Sequence, residues 1–165
     1  MTGYRVGTGF DAHRLVAGRP LLLGGIEIPH PHGLAGHSDG DCLAHAICDA
    51  LLGAAGEGDM GRHFPSSDPK WAGTRSVVFL TEVAHIVTAG GYAVENVDAT
   101  IIAEAPTLAP HLGAMREALA RALGAHPSVL SIKAKSTDGL GAIGRGEGIA
   151  AQATALLRPL NPVNP

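Results

Sequence analysis

The order of strand-like and helix-like segments is the feature of this sequence that most constrains its fold. Tyr4, Val6, Thr8 and Phe10 occupy alternate positions of the first segment, which is the period of a β-strand with one apolar face. The Ala- and Leu-rich stretch 42–55 is instead typical of a helix. Segments of both kinds continue along the chain without strict alternation. This order predicts one α+β domain over residues 1–165, a mixed β-sheet with helices packed on one face.

Turn and capping residues predict the remaining elements. A short hairpin is expected over 21–28, because Gly24-Gly25 suits a two-residue turn. Ser38 is the expected N-cap of the 42–55 helix, since an acid follows three residues later. The other predicted elements are helices at 76–89 and 108–123, and strands at 94–103, 129–135 and 149–157. The alanine content of the last segment also allows a helix as an alternative to the strand. Residues 158–165 are expected to form a loose tail.

The charge content narrows the classes of partner. The formal net charge is -3 and only 16% of residues are charged, against about 25% in a typical soluble domain. This balance argues against a nucleic-acid or membrane surface and favours an oligomer that covers apolar surface. Cys42 and Cys48 are expected to be reduced and buried, because their spacing fits neither a metal knuckle nor a local disulfide. Without a signal-peptide pattern or a long apolar segment, a cytoplasmic protein is expected.

A strand and a helix bring candidate metal ligands together. Asp11 and His13 lie at the end of the first predicted strand and project on one side, while Asp41, His45 and Asp49 form one stripe of the helix. Asp11, His13 and His45 would offer one oxygen and two nitrogen ligands, which with one open position describes a catalytic zinc site. Asp49, or another nearby acid, could orient an imidazole. The alternative interpretation is a solvated helix face beside an unrelated strand end.

The glycine-rich segment 135–148 is a candidate phosphate loop. It contains G-x-G-x-x-G, but no helix and no βαβ unit can follow it, so we reject a dinucleotide site. Backbone N–H groups and the hydroxyls of Ser136 and Thr137 could hold a phosphate, with Asp138 beside a divalent cation. The alternative is a turn-rich loop that packs closely at an oligomer axis.

A polar loop at 58–69 is suited to bonding substrate hydroxyls, although an ordinary surface loop has the same composition. Five histidines have no partner spacing that supports a function, and none is assigned to them: His30, His32, His85, His111 and His126.

Five separated motifs together resemble one enzyme family. They are Gly9-Phe10-Asp11-Ala12-His13, His37-Ser38-Asp39-Gly40-Asp41, Gly58-Asp59-Met60-Gly61, Ala105-Pro106 and Gly144-Arg145-Gly146-Glu147-Gly148. Their order and spacing are similar to those of the 2-C-methyl-D-erythritol 2,4-cyclodiphosphate synthase family, over about residues 4 to 157. The resemblance implies a homotrimeric lyase of the non-mevalonate isoprenoid pathway with active sites between subunits. Such enzymes convert a CDP-linked methylerythritol 2-phosphate into a cyclic diphosphate and release CMP.

The resemblance also implies roles for individual residues. Asp11, His13 and His45 resemble the zinc ligands, Asp138 the ligand of a second divalent ion, magnesium or manganese, and His37 with Ser136 the pair that stabilises the transition state. The residues implied in binding the cytidine diphosphate substrate are Asp11, Ala12, His13, His37, Ser38, Asp59, Met60, Gly61, Phe64, Pro65, Ser66, Ser67, Asp68, Ala103, Glu104, Ala105, Pro106, Thr107, Leu108, Ala109, Lys135, Ser136, Thr137, Asp138, Ala142 and Arg145. Three places depart from the commoner family pattern. Thr107 stands where Lys is frequent, Lys135-Ser136 where Thr-Thr is usual, and Ala142 where an aromatic residue is often found.

Two other functional classes fit parts of the pattern. A zinc hydrolase would use the same three ligands with water in the open position, but it would need a nearby base and no cytidine pocket. A non-catalytic trimeric scaffold would tolerate the loss of Asp11.

Overall fold

The computed structural model describes residues 3–160, which form a mixed sheet with helices on one face. The strands are β1 (Arg5–Ala17), β2 (Leu21–Leu23), β3 (Ile26–Ile28), β4 (His32–Leu34), β5 (Tyr92–Ile102), β6 (Leu130–Lys135) and β7 (Gly148–Pro159). The helices are α1 (Cys42–Ala55), α2 (Met60–His63), α3 (Ser76–Ala89), α4 (Leu112–Ala122) and α5 (Gly141–Gly144). The main sheet has the order β4-β1-β7-β5-β6, in which only β5 and β6 run parallel, and β2 and β3 form a separate hairpin. The α+β class and the helices on one face are confirmed.

The helix layer lies over the side of the sheet that holds the core. Helix α1 packs across β1 and β7, α3 contacts β5, and α4 contacts β6. Burial alternates along β7, where Ala151, Ala153 and Ala155 face the helices and Gln152 and Thr154 face away. Small residues on the inner side of β7 let α1 lie close to the sheet, because each of them adds little thickness between the two layers.

The first strand departs from its prediction in two ways. It does not end at His13, because β1 pairs with β7 as far as Arg14 and then with β4 through Ala17. Its apolar residues also face away from the helices, and Val6 and Phe10 are 67% and 63% exposed. The face of β1 that meets α1 carries glycine instead.

Two other predictions near helix and chain ends are wrong in part. The N-cap of α1 is Asp41 rather than Ser38, since the Asp41 carboxylate accepts the Ala44 N–H at 3.0 Å. Arg158 and Pro159 belong to β7, where they pair with β5, so the predicted tail does not begin at residue 158. Residues 161–165 of that predicted tail lie outside the described residues. The segment 149–157 is a strand, which resolves the alternative in favour of β7.

Within the described residues, no helix is both long enough and apolar enough to cross a bilayer.

Candidate metal centre and two cavities

Asp11 and His13 project from the middle of β1 toward the helix layer. They are two residues apart and partly buried, whereas Phe10, Ala12 and Arg14 point to the opposite face and are exposed. On the neighbouring strand β7 they pair with Ala151 and Ile149. This pairing with β7 fixes the direction of both side chains, so the two residues are held by the sheet rather than by a loop.

Two glycines in β1 set how closely α1 approaches these side chains. A Cβ atom on Gly7 would lie 2.2 Å from the Ala50 carbonyl oxygen, and one on Gly9 would lie 2.0 Å from the Ala46 carbonyl oxygen. Such distances are far inside van der Waals contact, so only glycine fits at these positions. The close approach of α1 is what brings His45 over Asp11.

Three donor atoms converge at this point. Asp11 Oδ2 lies 2.8 Å from His13 Nε2 and 2.8 Å from His45 Nδ1, and the two ring nitrogens are 3.3 Å apart. Ligand atoms bound to a tetrahedral zinc ion at roughly 2.0–2.1 Å lie about 3.3 Å from one another, so a small shift would accommodate the ion. Among the described residues these three form the one cluster with this metal-binding geometry. The donor set of one carboxylate and two imidazoles fits zinc.

The charges of the three side chains support one another. Burial alone would raise the pKa of Asp11, but hydrogen bonds from His13 and His45 and their charges hold it well below its usual value. Burial would lower the pKa of His45, but the hydrogen bond and charge of Asp11 outweigh it and raise that pKa. Asp11 is therefore ionised at neutral pH, as a metal ligand must be.

The second ring nitrogen of His45 faces two serines rather than the predicted carboxylate. His45 Nε2 lies 2.8 Å from Ser76 Oγ and 3.2 Å from Ser38 Oγ, and Ser76 Oγ in turn donates to Asp39. Asp49 instead accepts the Met60 N–H at 2.8 Å, so it orders the start of α2. Within residues 3–160, Asp49 therefore makes no hydrogen bond to an imidazole, and the carboxylate connected to His45 through a hydrogen-bonded contact is that of Asp39, by way of Ser76.

Asp41, the first member of the predicted stripe, is fully buried and has a structural task. Its carboxylate accepts the N–H groups of Gly24 and Gly25 at 2.9 and 2.7 Å, besides capping α1 through Ala44. These bonds fasten the turn between β2 and β3 to the start of α1. Asp41 thereby holds the N-terminal end of α1 in place, one turn before His45.

A cavity of about 260 Å³ opens beside the three donor atoms. Besides the donors it is lined by predicted substrate residues, namely His37, Ser38, Met60, Gly61, Phe64 and Ser66. Its lining also includes Trp71 and Phe79, which pack with Phe64 and with each other at ring-centroid distances of 4.9 to 5.4 Å. Trp71 and Phe79 were missed by the sequence analysis. The helical spacing of Phe79, Leu80, Val83 and Val87 indicates only that Phe79 belongs to the apolar face of α3.

Most of the predicted cytidine and diphosphate segments line a different cavity, of about 200 Å³. Its walls are Ala103, Glu104, Pro106, Thr107, Leu108, Ala109, Ala134, Lys135 and Ser136. The bond between Ala105 and Pro106 is cis. Thus His37 lines the metal cavity and Ser136 lines the second one, and a single chain does not bring the two into one cavity.

The other predicted site residues line neither cavity. Ala12 faces away from the helices. Asp59 and Asp68 cap short helical turns by accepting the N–H groups of Arg62 and Lys70. Pro65, Ser67 and Thr137 adjoin residues that do line a cavity, whereas Asp138, Ala142 and Arg145 are exposed in the loop after β6.

Comparison with known proteins identifies relatives over almost the whole chain. The profile of the YgbB family matches residues 4–158. The 2-C-methyl-D-erythritol 2,4-cyclodiphosphate synthase of Bordetella petrii is 55% identical over 154 residues, which cover 93% of this chain and 95% of that protein. The synthase of the same name from Bacillus velezensis is 53% identical over 155 residues, covering 94% and 98%. A solved structure described as IspF (Plasmodium falciparum) CDP complex superposes with a TM-score of 0.86 at 32% identity, covering 98% of this chain and 99% of that one.

Proposed function

The chain belongs to the YgbB family, and on this premise we propose how it forms 2-C-methyl-D-erythritol 2,4-cyclodiphosphate. The reaction converts 4-diphosphocytidyl-2-C-methyl-D-erythritol 2-phosphate to this product and CMP, in the non-mevalonate isoprenoid pathway. The 2-phosphate attacks the β-phosphate within the same molecule, so the enzyme is a phosphorus-oxygen lyase. The observation that carries the proposal is the convergence of Asp11, His13 and His45 beside a cavity lined by the predicted substrate residues.

The reaction requires no general base. The nucleophile is a monoester phosphate whose second pKa is about 6, so it is mostly dianionic at neutral pH. What the protein has to do is align two anions that repel each other and stabilise the charge that develops as CMP departs. This agrees with a site that has a cluster of metal donors rather than a nucleophile and a base.

We assign the three donor residues to zinc. Zinc bound there would neutralise charge on the phosphates and polarise the phosphorus under attack. Asp11 contributes the anionic ligand, and the strand that carries it fixes its distance from His13. His45 completes the set from α1, and because the cavity adjoins all three donors, a zinc ion held by them would be accessible to a bound substrate.

A second divalent ion, magnesium or manganese, is assigned to Asp138. The carboxylate of Asp138 is exposed in the loop after β6, one residue from Thr137. A single carboxylate suits magnesium, which is usually held by one or two carboxylates together with substrate phosphates and water. Asp138 follows Ser136, which lines the second cavity, by two residues along the chain.

The active form is proposed to be a homotrimer with its active sites between subunits. The apolar Val6 and Phe10 are exposed on the helix-free face of the sheet, and an assembly would cover them. His37 and Ser136 line separate cavities of one chain, so a neighbouring subunit would have to join the two. Arg145 and Glu147 form an ion pair at 2.7 Å, which we place near the threefold axis. Sedimentation at micromolar concentration should give three times the chain mass, and a monomer would refute the assembly.

The activity is tested with the full chain, zinc, magnesium and the synthetic substrate in ¹⁸O-labelled water. Phosphorus NMR should show a cyclic diphosphate and CMP, and mass spectrometry should find no ¹⁸O in either product. Incorporation of ¹⁸O would identify a zinc hydrolase. Binding of zinc without any turnover would indicate a scaffold, and both results would overturn the proposal.

A further inference from the structure

The nitrogen of His45 that faces away from the metal donors begins a buried chain of hydrogen bonds. His45 Nε2 lies 2.8 Å from Ser76 Oγ, and Ser76 Oγ contacts Asp39 Oδ1. The other carboxylate oxygen of Asp39 accepts the Ser76 N–H at 2.9 Å. Ser76 is completely buried and Asp39 is 9% exposed, so water does not compete for these bonds.

The direction of the protons in this chain follows from what each group can donate. A carboxylate only accepts, so the single hydroxyl hydrogen of Ser76 points to Asp39. Ser76 Oγ can then only accept from His45, which requires the hydrogen of a neutral His45 to be on Nε2. The lone pair of that tautomer is on Nδ1, the atom that lies 2.8 Å from Asp11 Oδ2 and 3.3 Å from His13 Nε2.

We propose that Ser76 and Asp39 are positioning residues that select the Nε2–H tautomer of His45 and hold its ring with Nδ1 toward the metal. This inference rests on the proposed zinc site. Partners of this kind orient a ligating imidazole and increase its basicity, and their loss commonly costs about 10- to 100-fold in metal affinity.

The same contact connects the metal centre to the start of α3. The residue before the helix, Arg75, makes no side-chain capping bond, and the first helical N–H is instead satisfied by Asp39 from the loop before α1. Because that bond uses the backbone N–H of Ser76, it survives when the Ser76 side chain is removed. We call the hydrogen bonds from Asp39 through the Ser76 hydroxyl to His45 the relay. Removal of that hydroxyl therefore breaks the relay without removing this cap.

The zinc affinity of the full chain distinguishes the relay from general packing. Wild type, Ser76→Ala and Thr81→Val would be compared by competition with a chromophoric chelator. We expect Ser76→Ala to bind zinc about 10- to 100-fold more weakly. Thr81→Val is the matched control, because it removes a hydroxyl of the same helix that bonds only to the carbonyl oxygens of Val77 and Ala122. It should bind zinc as wild type does.

A spectroscopic measurement adds a readout that packing alone would not change. In zinc-loaded protein labelled with ¹⁵N-histidine, the Nε2–H proton of His45 should exchange slowly with water, and in Ser76→Ala this exchange should become fast. Equal zinc affinity in wild type and Ser76→Ala, or equal weakening in Thr81→Val, would overturn the relay. If wild type itself binds no zinc, the metal centre is wrong and the relay falls with it. Zinc binding that depends on Ser76 in a protein without cyclase activity would support the relay and refute the proposed function alone.

Discussion

The metal cavity and the cavity beside Ser136 are built in different ways. In the first, Asp11 and His45 are held by a paired strand, by α1 and by contacts to the buried Ser76 and Asp39. In the second, Ser136 is exposed, and the loop after it is held mainly by bonds within itself, such as that from Thr137 Oγ1 to the Leu140 carbonyl at 2.8 Å.

The two cavities differ in how much of each site one chain supplies in its final arrangement. The three candidate metal donor atoms already lie within 3.3 Å of one another, so little reorganisation is left for metal binding. The phosphate loop has few contacts with the rest of its chain, and local regions of this kind are the ones that bound ligands or partners order. Substitutions at the first cavity should therefore change the stability of the fold and the affinity for metal. Substitutions at the second cavity should change turnover alone.

The largest effect is expected for Gly9→Ala. The new Cβ would lie 2.0 Å from the Ala46 carbonyl oxygen, a backbone atom that cannot move without displacing α1. Overpacking of a core costs about 1 to 3 kcal/mol, and this contact should reach at least the upper end. Denaturant titration should show the loss of stability, and zinc binding should weaken with it because His45 moves with α1.

Gly113→Ala is the control for a glycine without such a contact. It lies in the first turn of α4, where an added Cβ has no atom within 4 Å. Alanine is the better helix former, so the variant should be neutral or more stable by up to about 1 kcal/mol. Similar stability of Gly9→Ala and Gly113→Ala would contradict the role given to the β1 glycines.

The next effect is expected for Asp11→Asn, which keeps the shape of the side chain and removes the anionic ligand. Zinc content by atomic absorption and turnover should fall together, with affinity down by more than about 100-fold, because loss of an indirect partner alone costs up to that amount. Asp49→Asn alters a carboxyl group that lines the same cavity without touching the donors, and its zinc content should be normal. Full zinc occupancy in Asp11→Asn would remove Asp11 from the ligand set.

Ser136→Ala tests the second cavity. A preorganised donor to the charge that develops on phosphate is worth on the order of 10² to 10³ in kcat. Steady-state kinetics should show that fall with little change in KM, and zinc content should stay normal. Ser136→Thr keeps the hydroxyl and should retain most activity. An unchanged kcat with a much larger KM would show that Ser136 binds substrate and transition state equally.

The sequence was sufficient wherever a local pattern determined the structure. The helix at 76–89 and the Gly24-Gly25 hairpin are confirmed, because the glycines that end the helix and form the turn act within a few residues. The cluster of three candidate metal donors was also predictable, since the period of a strand puts Asp11 and His13 on one face and the helix brings His45 on a polar stripe.

Tertiary contacts decided what the sequence could not predict. The continuation of β1 to Ala17 depends on its pairing with β4, which is distant in sequence. The partner of His45 is Ser76, 31 residues away on another helix, and no spacing rule connects them. The orientation of Phe10 away from the core was also hidden, because alternation shows that a face is apolar but not which side the helices cover.

The smallest effect concerns the pH dependence of the metal-free protein. The folded pKa of His45 is raised above its ordinary value of 6.5, mainly because the pairing with Asp11 outweighs burial. The stability from this pairing is then fully present below pH 6.5 and is lost as pH rises through the raised pKa. The folded pKa of Asp11 is lowered, so its contribution is present above its ordinary value of 3.8 and lost in acid.

The measurement is the free energy of unfolding in the presence of a chelator, at intervals from pH 6 to pH 8.5. Because the chain has eight other histidines, the useful quantity is the difference in the free energy of unfolding between wild type and Asp11→Asn, which should shrink as pH rises. When zinc replaces the chelator, the stability that wild type gains over Asp11→Asn should instead grow as pH rises. The reason is that the metal needs the deprotonated imidazole and binds more tightly at higher pH. A difference that stays constant across this range would show that His45 and Asp11 are not paired by charge before the metal binds.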